Sequence, residues 1–377
     1  MQRAFSGLKV LDFTTTIAGP HCTRMLADLG AEVIKIESGE GDMLRLRPPF
    51  RAGASSFFGQ LNAGKKSLVL DLKSGEATAA ITALAQQSDI IVENFRPGVM
   101  ARLGFDYARV ATLNPQLIYC SISGYGQTGP AADQPAYAPS IHAASGFDAA
   151  NMSYQNGRTR PDYCGVYVAD VVAGTYAFGA IGAALHQRAA TGLGQHLDVS
   201  MLEATMSLTL VELQAAQFEM PPKLSRPMFG PLATADGFIM LAVASEKSFQ
   251  GLAKAAGRED WISDRRFAGY MDRRSNWSVL MDECEVWSKS LTSDDCLAAF
   301  NRAGVPAAKY RTVREAMADP QIAHRQALTE VEDAGGKFLV LRSPFRMSAS
   351  AAKPGPRVPS LGEHTAEILA CIGHQKN

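Results

Sequence analysis

The stretch Val10–Glu37, VLDFTTTIAGPHCTRMLADLGAEVIKIE, decides the fold. Leu8 to Phe13 predicts a strand, Pro20 suits the first position of a helix, and Cys22 to Leu29 carries helical spacing that ends at Gly30. Glu32 to Glu37 predicts a second strand. Strand, helix and strand in so short a run make one βαβ unit, whose crossover helix places the two strands parallel.

Outward from that unit the alternation continues. Ser67 to Leu72 (SLVLDL) predicts a strand, Gly75 to Gln87 a helix, Asp89 to Glu93 a strand, Gly98 to Leu103 a helix and Leu117 to Ser121 a strand. This is the pattern of an α/β fold with a mostly parallel, doubly wound sheet. Such sheets bind ligands beyond the carboxyl ends of their strands, here Thr14 to Ala18, Glu37 to Arg47, Asn94 to Gly98 and Ser123 to Tyr137. The regularity breaks at the Pro-rich stretch Glu219–Pro231 (EMPPKLSRPMFGP). Beyond it, Asp236-Gly237 predicts a turn into a strand at Phe238 to Ala244, and amphipathic helices to about Arg302 predict a smaller α+β domain. Lys353 to Pro359 reads as a linker or surface strap, and Glu363 to Cys371 as a short closing helix.

The chain has 377 residues, room for two or three domains, and its 37 basic residues balance 37 acidic ones. With no net charge there is no broad field to draw nucleic acid or an acidic membrane, so an anionic ligand must be gripped by a few local groups. The six cysteines lie apart, with no C-x-x-C pair and no histidine at zinc spacing, which predicts a reduced, metal-free, cytoplasmic protein. The N-terminus does not read as a signal peptide, because Lys9 and Asp12 interrupt its short apolar stretch. Val166 to Leu185 has the length of a membrane span, but Asp170 near its start and its Gly and Ala content predict a buried helix.

Several motifs fail on their context. Gly124 to Gly129 (GYGQTG) spells a dinucleotide fingerprint after a strand, yet Pro130 to Pro135 continues as loop where a helix must start to meet a pyrophosphate. Gly59 to Lys66 (GQLNAGKK) resembles a phosphate loop but has Lys66 in place of the magnesium-binding hydroxyl and runs into a strand. Lys65 and Lys66 read as a solvated turn. Ser121 and Ser123 lack the glycines of a hydrolase elbow.

Asp170 remains. A carboxylate at the head of the apolar helix Val171 to Leu185 is either an ordinary N-cap or a nucleophile, dry enough to attack and fixed enough to be aimed. No acid–base partner lies near it in sequence.

In order along the chain, Val10–Glu37, GDMLR (Gly41–Arg45), NAGKKSLVLDLK (Asn62–Lys73), VENFRPGV (Val92–Val99), LGFDY (Leu103–Tyr107), NPQLIYCSISGYGQTGP (Asn114–Pro130), GLGQHLDVSMLEA (Gly192–Ala204), TADG (Thr234–Gly237) and SLGEHTAEIL (Ser360–Leu369) closely resemble the class III CoA-transferases. That family also contains the α-methylacyl-CoA racemases and formyl-CoA transferase. The resemblance implies a large Rossmann-like domain built from both chain ends, a smaller α+β domain, and an interlocked homodimer. The expected organisation is 1–218 for the first part of the large domain, 219–231 for a linker, 232–325 for the small domain and 326–377 for a linker and return.

The resemblance also implies an activity: CoA moves from an acyl-CoA donor to a small carboxylic acid through covalent intermediates on Asp170. CoA is then a substrate, with no tightly bound cofactor, metal, nucleic acid or membrane partner. Positions matching the family's CoA site are Thr15, Thr16, Ile17, Ala18, Leu72, Lys73, Asn94, Phe95, Arg96, Arg102 and Tyr137. Arg158 and Arg160, just before the nucleophile, are either loop arginines or readers of a second carboxylate, which would suit a C4 or C5 diacid. Ile17 stands where oxalate and formate transferases often carry glutamine, and Met228 to Ala233 lacks their glycine run. Tyr137-Ala138 replaces the histidine-aspartate of the racemases, and His142, displaced by five residues, is the imidazole weighed as its substitute. An α-methylacyl-CoA epimerase and a non-catalytic CoA-binding protein are the alternative readings.

Overall fold

The opening βαβ unit forms as strand β1 (Lys9–Asp12), helix α1 (Ala18–Asp28) and strand β2 (Glu32–Glu37) in a computed structural model that describes residues 2–155, 157–219 and 228–374. Pro20 is the third rather than the first residue of α1, where a missing N–H is equally harmless because the first four amides of a helix have no intrahelical partner. Helix α2 (Ser56–Asn62), capped by the Ser55 hydroxyl, leads into β3 (Lys66–Val69). Then come α3 (Gly75–Gln86), β4 (Ile90–Glu93), α4 (Val99–Leu103), α5 (Tyr107–Leu113) and β5 (Ile118–Ser123). Helices α6 (Ala138–Ala144), α7 (Phe147–Ser153) and α8 (Val168–Thr191) precede β6 (His196–Ser200), α9 (Met201–Met206) and α10 (Leu210–Ala215).

The six strands form one parallel sheet in the order β3-β2-β1-β4-β5-β6. Alternate strand residues enter two separate cores. Val10, Val33, Val92 and Ile122 pack with α1 and α8 on one face, while Leu11, Ile34, Leu68 and Ile91 pack with α3 on the other. Both faces are covered, so the strands read as continuous apolar runs. The chain leaves β1 toward β2 on one side and returns to β4 on the other, which makes the β1/β4 boundary the point where ligands find a crevice.

Helix α8 has a stripe of small residues on its buried face, Ala169, Ala173, Ala177 and Ala184 with Ile181. At Gly174 a Cβ would stand 2.4 Å from the Ala18 carbonyl oxygen, so only glycine permits this approach to α1. The opposite face, expected to be buried, is not. Tyr176 is 52% exposed, and Gly179, Ala180 and Ala183 help line an open apolar trough. The length and apolarity of α8 would also suit a membrane span, but a helix with one face in a protein core reads equally as core.

Two units are resolved, Met1–Pro221 with Ala323–Asn377, and Pro222–Ile322. The second has its own sheet of β7 (Phe229–Ala233), β8 (Phe238–Ala242) and β9 (Ala307–Lys309), in the antiparallel order β9-β8-β7. The Asp236-Gly237 turn closes as a hairpin, with the Thr234 N–H donating to the Gly237 carbonyl. Helices α11 (Glu246–Ala255), α12 (Trp277–Ser288) and α13 (Ser293–Ala303) pack around Phe249, Trp261 and Phe300. Most of the expected linker 219–231, residues 220–227, lies outside the described residues.

The C-terminal part of the first unit begins with the hairpin β10 (Leu328–Asp333) and β11 (Gly336–Leu341), whose Val331 and Val340 pack with Phe58 and Leu61 of α2. Lys353 to Pro359 is a strap: the Lys353 N–H donates to the Asp28 carbonyl, and the Arg357 carbonyl accepts the Gly64 N–H. Helix α14 (Thr365–His374) ends the described chain, with Ile368 in the core beside Leu68 and Ile81.

Candidate active site

A cavity of about 260 Å³ opens at the β1/β4 boundary. Its wall takes Thr15, Thr16 and Ala18 from the end of β1, Asn94, Phe95 and Arg96 from the end of β4, and Ser123 and Gly124 from the end of β5. Tyr137 at the head of α6 and Asp170 of α8 complete it. Gly124 is explained by a close approach rather than by a phosphate, since a Cβ there would sit 2.2 Å from the Ala136 Cβ. No helix starts at Gly129; the next, α6, begins at Ala138.

The loop Thr14 to Ala18 is held from beneath by buried charges. Asp12 accepts hydrogen bonds from the Thr14 N–H and hydroxyl and from the Thr23 hydroxyl at 2.7 Å. Lys65 Nζ donates to Asp12 at 2.9 Å, to the Thr23 hydroxyl and to Asn62. Lys35 Nζ donates to the Thr14 carbonyl at 2.7 Å and pairs with Asp42, which accepts the Leu44 N–H. Burial pushes the Asp12 carboxyl up, but Lys65 and Lys35 outweigh it and pull it down to about 2. Burial brings Lys65 down to about 8 against the pull of Asp12. Lys65 is thus no solvated turn: a buried charge survives only when paired and hydrogen-bonded, and it is both. Lys66 is the residue that points outward, to Glu367 and Glu32. The strained partner of this anchoring is Thr16, whose φ of 63° lies in the left-handed region.

The other bank is fixed by Glu93, which accepts the Phe95 N–H at 2.9 Å and whose carboxyl burial pushes up to about 7. Asn94 joins the banks, accepting the Thr15 N–H and donating to the Thr15 carbonyl, both at 2.8 Å.

Asp170 is not an N-cap. Tyr167 takes that position, and Asp170 is the third helical residue of α8. Its carboxylate faces a different helix, where the N–H of Ala18, the first residue of α1, favours its ionised form. Gly174, one turn further along the same face of α8, is what lets the two helices come that close. Burial pushes the Asp170 carboxyl up to about 6, with the Ala18 amide offsetting only part of the effect. Among the described residues no cation pairs with it. An ionised, poorly solvated carboxylate aimed by helix amides into a crevice can act as a nucleophile.

A sequence model described as CoA-transferase family III matches residues 5–365. The chain is 34% identical to the succinate–glutarate CoA-transferase of Agrobacterium fabrum, over 97% of this chain and 94% of that one. It is 34% identical to the acetyl-CoA:oxalate CoA-transferase of Acetobacter aceti, with the same coverage. A CAIB/BAIF family protein from Brucella suis, known from its crystal structure, superposes with a TM-score of 0.88 at 33% identity, covering 99% of this chain and all of that one. The chain belongs to CoA-transferase family III.

As a family III CoA-transferase it uses CoA thioesters as substrates. Of the positions expected to meet CoA, Thr15, Thr16, Ala18, Asn94, Phe95, Arg96 and Tyr137 share the cavity with Asp170. Ile17 does not; its side chain packs with Leu44 and Phe58 in a neighbouring core, because the N-cap residue of α1 faces inward. Leu72 lies against the core under β3, and Lys73 and Arg102 are exposed outside the cavity. Arg158 is exposed and pairs with Asp162 at 3.3 Å, and neither it nor Arg160 lines the cavity. Sequence reasoning missed Asp12, Lys35, Asp42 and Lys65. The signal available was charge inside apolar strands, in VLDF and VIKIE.

Proposed function

We infer that this transferase moves CoA between an acyl-CoA and a dicarboxylic acid through covalent intermediates on Asp170. The observation that carries the reading is a largely desolvated carboxylate, with no paired cation among the described residues, facing the Ala18 amide in the crevice where the strand order reverses. Asp170 Oδ attacks the thioester carbonyl, the C–S bond breaks, and an acyl-aspartyl anhydride and CoA thiolate form. The thiolate attacks the aspartyl carbonyl, releasing the donor acid and leaving an aspartyl-CoA thioester. The acceptor carboxylate attacks that thioester, its C–S bond breaks to release CoA thiolate again, and a second anhydride forms between the acceptor and Asp170. Attack of the thiolate on its acyl carbon yields the new acyl-CoA and restores Asp170. The thioester's free energy is kept in covalent bonds throughout, so the cycle needs no other energy source. It does need water excluded, since an anhydride hydrolyses.

Arg96 lies in the cavity with Asp170 and supplies a cation for a substrate anion, while Lys73 and Arg102, exposed at the same ends of the sheet, suit the nucleotide phosphates. The activities of the two relatives, toward succinate and glutarate and toward oxalate, support a diacid acceptor. The exposed apolar face of α8, with Leu210 at 71% exposure on α10, supports a homodimer that covers it. Unpaired cysteines, four of them buried, fit a reducing, cytoplasmic setting.

The test is trapping. After incubation with an acyl-CoA, hydroxylamine should convert Asp170, and no other carboxylate, to its hydroxamate, read by peptide mass. Asp170→Ala should bind CoA and exchange none. Near-native turnover in that variant overturns the reading, and a panel of labelled mono- and dicarboxylates identifies the acceptor class.

A further inference from the structure

His142 is buried, 1% exposed, on α6. Its Nε2 lies 3.0 Å from the backbone nitrogen of Ala169, the residue before Asp170. The backbone N–H can only donate, so Nε2 accepts, and in the neutral ring the proton sits on Nδ1. Among the described residues Nδ1 itself has no hydrogen-bond partner. The N-cap residue of α8, Tyr167, supplies no side-chain acceptor, and Ala169 carries one of the four amides that a helix start leaves open. An imidazole from another helix therefore does the work of a cap. Burial lowers the His142 pKa, Asp148 acts weakly against it, and the Phe147 ring lies 5.5 Å away.

We propose that His142 is a positioning residue that fixes the first turn of α8, and through it the aim of Asp170 at the thioester carbonyl. The inference rests on Asp170 as the nucleophile. The lone pair a base would need is engaged by Ala169, so His142 does not exchange substrate protons, and the racemase-like role open to it in the sequence is closed. Its effect falls on the covalent step and not on CoA binding, because it does not line the cavity.

Two variants and one spectrum decide this. His142→Leu keeps an apolar side chain without the acceptor, and His142→Gln keeps an acceptor at similar reach. The leucine variant should lose about tenfold in kcat with KM for acyl-CoA within about twofold, and the glutamine variant should stay within about threefold of native kcat. Equal losses in both, or a loss confined to KM, overturn the proposal. In protein labelled with ¹⁵N-histidine, the His142 signal, identified by its disappearance in the glutamine variant, should show the Nδ1–H tautomer at neutral pH. An Nε2–H tautomer or an imidazolium overturns it, and these last two readouts decide the matter even if the leucine variant does not fold. Hydroxylamine trapping on the native enzyme separates the two claims. Absence of an Asp170 adduct there removes the reading on which the inference rests, whereas an adduct in the native enzyme with unchanged rates in the leucine variant removes the inference alone.

Discussion

Asp12 and Asp170 are tied to the two ends of one short loop, and they behave oppositely. Asp12 accepts hydrogen bonds from the Thr14 amide and hydroxyl, and Asp170 faces the Ala18 amide, which favours its ionised form. Both are largely removed from water, yet one carboxyl is pulled down to about 2 and the other pushed up to about 6. The difference is cations. Lys65 and Lys35 stand beside Asp12, and burial alone governs Asp170 apart from one amide. A neutralised carboxylate is a fastener, while a bare one keeps its electron pair available for attack. Two residues of the same type thus divide structure and chemistry by their surroundings.

The largest effect should follow removal of the bare carboxylate. Asp170→Ala should lower CoA exchange by at least about a thousandfold while CoA still binds, measured by steady-state transfer and by calorimetry. Disabling the fastener should instead strike stability. Lys65→Met leaves Asp12 buried with a weakened counter-charge and should cost about 3–5 kcal/mol in urea unfolding. If the two variants exchanged phenotypes, the division of roles would be wrong. The acid limb of kcat/KM tests the same contrast more gently. The ionised form of Asp170 attacks, so activity should fall about tenfold per pH unit below about 6, without a further limb from Asp12 until about pH 2.

The fold was legible because periodicity and βαβ chemistry are local. The alternation from Leu8 to Ser121 marked the parallel sheet, and the sites at the ends of β1, β4 and β5 followed from its topology. Asp170 was legible as a carboxylate leading an apolar helix, but its partner was not. The amide it faces is that of Ala18, an approach made only after α1 and α8 pack. Lys65 was misread for a related reason: a lysine beside Gly64 has the local signature of a turn, and its four partners lie on β1, α1 and α2. The short strand β9 and helix α5 carry too few residues for a period to show. Long-range partners decide buried charges, and sequence spacing does not reveal them.

The smallest effect is also the most discriminating, because its sign is opposite to intuition about an active-site residue. An aspartate whose folded pKa exceeds its unfolded one binds more protons when folded, so the native protein should lose stability as pH rises from about 4 to about 6 and gain nothing from Asp170 above that. Asp170→Asn keeps the shape of the side chain and an oxygen that can face the Ala18 N–H, and removes the charge. It should therefore unfold at a higher temperature than the native enzyme at pH 7, by about 1 kcal/mol or a few degrees after allowance for partial exposure. The difference should vanish below about pH 4, where native Asp170 is already neutral. Asp12→Asn at the same pH should be destabilised instead, since that charge is matched by Lys65 and Lys35. Thermal unfolding of the three proteins at two pH values measures whether the loop meets a matched charge at one end and an unmatched one at the other.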